Sequence, residues 1–193
     1  MFTTLFAFSA LQNSDKVGLL LFSDQIELFV PPKKGKRHIL RLIRELVAFE
    51  PKRTKTNIAL GLETLLKVLK HQGIVVLISD FLAPVAQFER PFKLAAKKFD
   101  LIPIKVQDKL EYQLPRVPVC ISAVDPETGE TDELCLSDGE LNKQLRDFEQ
   151  KQHKELSALF TPFKIEPIVA DTAKPLADPV IAFFKRRAKK IRK

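Results

Sequence analysis

The sequence predicts an α/β fold built on a doubly wound, mostly parallel sheet. Two apolar runs carry that prediction. IVVLIS (74–79) and LIPIKV (101–106) read as buried strands, and residues 87–98 between them read as a helix. Strand, helix and strand in this order imply a right-handed crossover and parallel pairing. The length of 193 residues, with 45% hydrophobic and 29% charged side chains, suits one compact domain. That composition excludes a disordered tail, a collagen-like repeat and a disulfide-rich miniprotein. No run approaches the roughly 18 apolar residues that cross a membrane.

The remaining elements follow in chain order. Residues 2–12 have the apolar character of a short helix, and VGLLLF (17–22) reads as a strand buried on both faces. Ser23-Asp24-Gln25 is short enough for a hairpin loop into IELFV (26–30), which Pro31 and Pro32 are expected to end. KRHILRLIRELVA (36–48) is an amphipathic helix with Ile39, Leu42, Ile43, Leu46 and Val47 on one face. Thr56 or Asn57 suits the N-cap of the next helix, IALGLETLLKVLKHQ, which Gly73 would close. A disturbance is expected at Pro91 in the helix over 87–98.

After Pro115 the pattern changes. PVCISAV and TDELCLS read as two strands around the DPETGE turn, followed by a long polar helix near 138–159, a short strand near 164–169 and a helix over 178–187. The expected organisation is a core over 1–115 and a hairpin and helical extension over 116–193 packed on it as one structural unit. Cys120 and Cys135 are symmetric about the middle of Pro126–Gly129, so a regular hairpin would set them opposite each other. They are expected to be neighbouring reduced thiols, buried as small apolar residues. The first residues lack the basic region and cleavage pattern of a signal peptide, which makes a reducing cytoplasm the expected location.

The net charge of +8 needs to be located before it is interpreted. Seven cations, Lys185, Arg186, Arg187, Lys189, Lys190, Arg192 and Lys193, stand in the last nine residues, and without them 25 basic residues face 24 acidic ones. The basicity is a property of the tail. A helix end whose cations offset its dipole explains it without specific nucleic-acid binding. Contact with RNA or anionic membrane is the alternative, and would weaken with salt.

Candidate chemistry gathers at the carboxyl ends of the parallel strands, where open α/β sheets bind ligands. Asp80 ends one strand, Asp108 follows another, and Thr56 enters the helix that precedes the Asp80 strand. Hydroxyl and carboxylate oxygens of this kind suit Mg²⁺. His38, His71 and His153 are scattered over the chain, which gives a zinc site or a His-based triad little material. The six glycines form neither a phosphate loop nor a dinucleotide fingerprint. Asp125 and Glu127 are explained by turn chemistry. A metal-assisted hydrolase built on Asp80 and Asp108 would lack an identifiable base or nucleophile, so the expectation is a protein that is not an enzyme.

DKVGLLLFSD, PPKKGKRHILRLIREL, TKTNIALGLETLLK, IVVLISDFL, VQDKLEYQLP, DPETGE and PLADPVIAFFKRR occur in this order. The sequence thereby resembles the bacterial domain-of-unknown-function 58 family, whose core is similar to a von Willebrand factor A domain. That resemblance implies a metal-ion-dependent adhesion site made of an Asp-x-Ser-x-Ser loop, a threonine and an aspartate. Thr56 matches the second element and Asp80 the third, with Asp108 as a neighbour, while the first element has no counterpart here. The resemblance further implies that the chain begins inside the first helix, lacks the first central strand and keeps only a partial site. Mg²⁺ is then expected in a full-length form and weak or absent in this chain. The implied role is an adaptor or co-chaperone for a MoxR-type AAA+ ATPase. The alternative is a metal-independent module that uses its basic tail on RNA or anionic membrane.

Overall fold

A computed structural model describes residues 15–51, 55–109, 114–115, 117–124, 131–136, 139–175 and 177–191. The expected helix over 2–12, and Asp125 and Glu127, lie outside the described residues. The chain divides into two compact units, Met1–Lys70 and His71–Lys193. The fold is mixed α/β, with a parallel three-stranded sheet and five helices among the described residues.

In the first unit, β1 (Val17–Phe22) and β2 (Ile26–Lys33) form an antiparallel pair. β2 continues through Pro31 and Pro32 instead of stopping before them. Val17 pairs with Lys33 and Leu19 with Val30, so β2 carries one extra residue across the two prolines. That bulge removes the need for a proline N–H in the ladder. β1 is mostly half-buried, not enclosed on both faces, because its described partner is β2 alone and only Leu19 is fully buried.

α1 (Lys36–Val47) begins after Gly35, whose φ of 104° is a conformation that favours glycine. Ile39 and Leu42 are buried, and Leu42 joins Leu19 and Val30 in a small core. Val47, at the last turn, is exposed against expectation. His38 Nε2 lies 2.8 Å from the Val17 carbonyl and ties the start of α1 to the start of β1. α2 (Ile58–Val68) is capped by Asn57, whose side chain accepts from the Leu60 N–H at 3.0 Å. It ends at Val68, before the expected Gly73, because Lys70, His71 and Gln72 are exposed and offer no apolar stripe to hold another turn.

The second unit contains the parallel sheet. β3 (Ile74–Ser79), β4 (Asp100–Gln107) and β7 (Ile168–Asp171) lie in that order, with Ile78 opposite Ile104 and Ile104 opposite Ile168. α3 (Val85–Lys98) makes the connection from β3 to β4 and passes unbroken through Pro91, which is buried in it. The third strand begins later than the expected 164–169, since a 3-10 turn over Thr161–Phe163 and left-handed Lys164 (φ 54°) come first. α4 (Gly139–Phe160) and α5 (Ala177–Ile191) complete the unit. Ile102, Ile104 and Ala170 are almost wholly buried in the sheet. Beside them Phe81, Phe88, Phe92 and Phe160 form a run of rings, from the edge-on pair Phe81–Phe160 at 6.2 Å to the stacked pair Phe92–Phe160 at 5.1 Å.

β5 (Cys120–Val124) and β6 (Thr131–Cys135) form the expected hairpin, with Cys120 opposite Cys135. The expected reduced, buried thiols are corrected on two counts: Cys120 is disulfide-bonded and exposed. The register brings the only two cysteines of the chain within the reach of such a bond.

Candidate functional site

The carboxyl ends of β3, β4 and β7 share one edge of the parallel sheet, and the loops that leave them carry the polar groups of interest. β3 runs straight into the Ser79–Leu82 turn. The Asp80 carboxylate is exposed, and its Oδ1 accepts from the Leu82 N–H at 3.1 Å and from the Ser79 hydroxyl at 3.3 Å. Ser79 Oγ in turn accepts from the Phe81 N–H at 3.1 Å. The two short side chains therefore satisfy the first backbone donors beyond the strand, as serine and aspartate do in tight turns.

Phe81 holds an uncommon conformation. Its φ is 58°, a left-handed value that is an outlier for a bulky residue, yet its ring is only 1% exposed. Phe88 of α3 and Phe160 of α4 flank it at 6.1 and 6.2 Å between ring centres. Burial of the ring offsets the backbone strain, of order 1–3 kcal/mol. From α4, Gln152 Nε2 donates to the Leu82 carbonyl at 2.9 Å.

Asp108 follows β4, as expected from the sequence. The Thr172 hydroxyl donates to its Oδ2 at 2.6 Å, and the Thr172 N–H donates to the Gln107 carbonyl at 3.0 Å. Asp171 closes β7 beside this pair. Its Oδ1 accepts from the Ala173 N–H at 2.9 Å, and its Oδ2 lies 3.3 Å from the Lys174 ammonium. The Ala173 N–H first, and then Lys174, hold the Asp171 carboxyl below the usual aspartate value, against desolvation and the like charge of Asp108.

Of the three expected site residues, Asp80 and Asp108 stand in the second unit at the carboxyl edge of its sheet. Thr56 is an exposed residue of the first unit, one position before the helix cap Asn57. Mg²⁺ requires near-octahedral oxygen coordination. Oδ1 of Asp80 is already engaged in its own turn. Among the described residues no group of three or more His, Cys, Asp or Glu side chains could hold a metal ion.

Sequence reasoning missed Asp171, Thr172, Asn142 and Gln152. Asn142 is 2% and Gln152 7% exposed on α4, whose other polar side chains are not buried. Asn142 Oδ1 accepts from the Leu114 N–H at 2.9 Å, while its Nδ2 and Gln152 Oε1 have no hydrogen-bond partner among the described residues. A signal for Gln152 was present: it precedes Leu156 by four residues and Leu159 by seven, which places it on the buried stripe of the helix.

An α/β chain with a parallel sheet and an exposed aspartate turn at its carboxyl edge is the class these features define. The chain belongs to the family described as Protein of unknown function DUF58, whose model matches residues 1–155. It is similar to the uncharacterized protein Mb1516 of Mycobacterium bovis and the uncharacterized protein Rv1480 of Mycobacterium tuberculosis. Each is 25% identical over 107 residues, which cover 54% of this chain and 33% of the relative. The uncharacterized protein MAV169 of Mycobacterium avium is 28% identical over 120 residues, covering 61% of this chain and 67% of that protein. The chain thus spans about a third of the length of the first two relatives. No solved structure matches the sequence.

Proposed function

We propose that the chain is a protein-interaction module of the von Willebrand A type, not an enzyme, that serves as an adaptor or co-chaperone for a MoxR-type AAA+ ATPase. The supporting observation is the Ser79–Leu82 turn, which presents an exposed carboxylate from a hydrogen-bonded, aromatic-backed loop at the edge where open parallel sheets bind ligands. The partner is named by the family resemblance. In this reading Asp80 makes the central polar contact, Asp108 lies beside it, and Mg²⁺ is held weakly if at all. Two of the tail's cations act in orienting α5, since Arg186 pairs with Glu166 at 2.9 Å and Arg187 pairs with Asp100. That observation favours the adaptor over the alternative module that binds RNA or anionic membrane through its tail.

The test is binding of a purified MoxR-type ATPase to the immobilised chain, with Mg²⁺ or with a chelator, and for Asp80→Asn. Wild-type binding that falls about tenfold in the variant supports the reading, a loss typical of an interface hot spot. Affinity unchanged by the substitution removes Asp80 from the interface, and no binding at all removes the partner. Binding instead to RNA or anionic vesicles, lost steeply with salt, supports the tail.

A further inference from the structure

We infer that α4 is a splint for the carboxyl edge of the sheet, with Gln152 the positioning residue that holds the Asp80 turn. The inference rests on the reading of that turn as the interaction site, but its geometry stands on the chain alone. Two amide side chains on α4, ten residues apart in sequence, are both more than nine-tenths buried. Each reaches out of the helix to a backbone group that secondary structure leaves unpaired. Gln152 donates to the Leu82 carbonyl in the loop after β3, and Asn142 accepts from the Leu114 N–H in the segment after β4. Each amide leaves its second polar atom without a hydrogen bond among the described residues.

That pattern is informative because buried polar atoms are costly when unpaired. An apolar side chain at either position would avoid the orphaned atom but would strand a backbone group of the loop. The amides thus serve the loops more than the helix. At the Asp80 turn the geometry is closed from both sides. Gln152 holds the Leu82 carbonyl, the Asp80 carboxylate holds the Leu82 N–H, and Phe160, also on α4, packs edge-on against Phe81. A left-handed phenylalanine persists only where its surroundings over-determine it. Removing the Gln152 donor withdraws one of these constraints, so the turn opens more often, and each opening carries the Asp80 carboxylate with it.

Backbone amide exchange, followed by NMR on the whole chain, reads this directly. Gln152→Met removes the donor at nearly constant length, and Gln150→Met on the exposed face of α4 is the control. The expected result is exchange of the Leu82 and Phe81 amides that is about fivefold to tenfold faster in Gln152→Met, the scale of one lost hydrogen bond. The Leu77 and Ile102 amides of the sheet stay unchanged, as does every amide in the control. Equal acceleration at Leu77 and Ile102 would show a merely structural role and overturn the inference. Unchanged exchange at Leu82 would overturn it as well.

Gln152→Glu supplies a second reading within one protein. A protonated glutamic acid can donate to the Leu82 carbonyl and an ionised glutamate cannot. Relative to the wild type at each pH, the turn should therefore be protected in acid and should open as the pH rises through the new carboxyl's titration. A flat ratio contradicts the positioning role. Because exchange is measured without any partner, failure of Asp80→Asn to weaken ATPase binding would remove Asp80 from the interface while leaving this result intact.

Discussion

Replacing Phe81 separates the backbone of the Asp80 turn from its packing. The ring is 1% exposed and touches Phe88 and Phe160, so Phe81→Ala should cost about 3–5 kcal/mol, the usual range for emptying a buried phenylalanine site. Phe81→Gly creates a similar cavity but changes the backbone terms. At a φ of 58° an L-residue with a Cβ carries about 1–2 kcal/mol that glycine does not. Against this, glycine raises the entropy of the unfolded chain by about 0.4–1 kcal/mol. The difference leaves Phe81→Gly more stable than Phe81→Ala by about 0.5–1 kcal/mol. With a urea slope near 2 kcal/mol/M, that is a midpoint difference of about 0.25–0.5 M. Phe88 provides the control, because it is fully buried inside α3. There glycine should be the worse substitution by about 0.5–1 kcal/mol. An alanine variant at Phe81 as stable as the glycine variant, with equal slopes, would show that the left-handed conformation carries no strain.

Other expectations follow from individual contacts. Gly61 sits in α2 with the Phe22 ring 2.9 Å from where a Cβ would stand, so Gly61→Ala sets overpacking of about 1–3 kcal/mol against a helix gain of about 1. It should lower the melting temperature, and Phe22→Leu in the same chain should turn the substitution stabilising. Alkylation of the denatured native protein should find no free thiol before reduction and two afterwards, and Cys120→Ser should destabilise the hairpin by about 2–4 kcal/mol, measured by exchange of the β5 amides. Asp171 has a lowered pKa because of Ala173 and Lys174. The stability it contributes is therefore complete above its unfolded value of about 3.9 and is lost as pH falls through the lower folded value. Acid titrations should show that Asp171→Asn flattens this part of the stability profile, and an unchanged profile would place the acid sensitivity elsewhere.

The parallel sheet was legible because both of its first strands are continuous apolar runs of the right length, and an amphipathic segment joins them. What the pattern could not show was pairing. VGLLLF looks like IVVLIS in composition, yet Leu19 is the only fully buried residue of β1, while β3 buries both Val75 and Leu77. Apolar content reports a preference for burial, whereas burial itself depends on how many partners the fold supplies. The prolines of β2 misled for a related reason. The rule that proline ends a strand assumes a regular ladder, and the bulge between Leu19 and Val17 suspends it.

At the site, sequence found the two carboxylates that follow strands and missed what holds them. Asp80 and Asp108 stood out because strand ends are visible as breaks in hydrophobicity. Gln152 was hidden in a helix of mostly charged and polar residues, where only its spacing to Leu156 distinguishes it from its solvated neighbours.

The charged tail shows the reverse case, a strong compositional signal with a local structural use. Arg186 and Arg187 reach Glu166 and Asp100, but all four groups are substantially exposed, and exposed pairs contribute little to stability. Val180 and Phe183, 3% and 8% exposed, therefore hold α5 on the unit, and the two ion pairs set its orientation. Raised salt should consequently leave α5 docked while a Phe183→Ala variant releases it, measured by exchange of the Val180 amide. Release by salt alone would mean that the cations, not the apolar face, keep the helix in place.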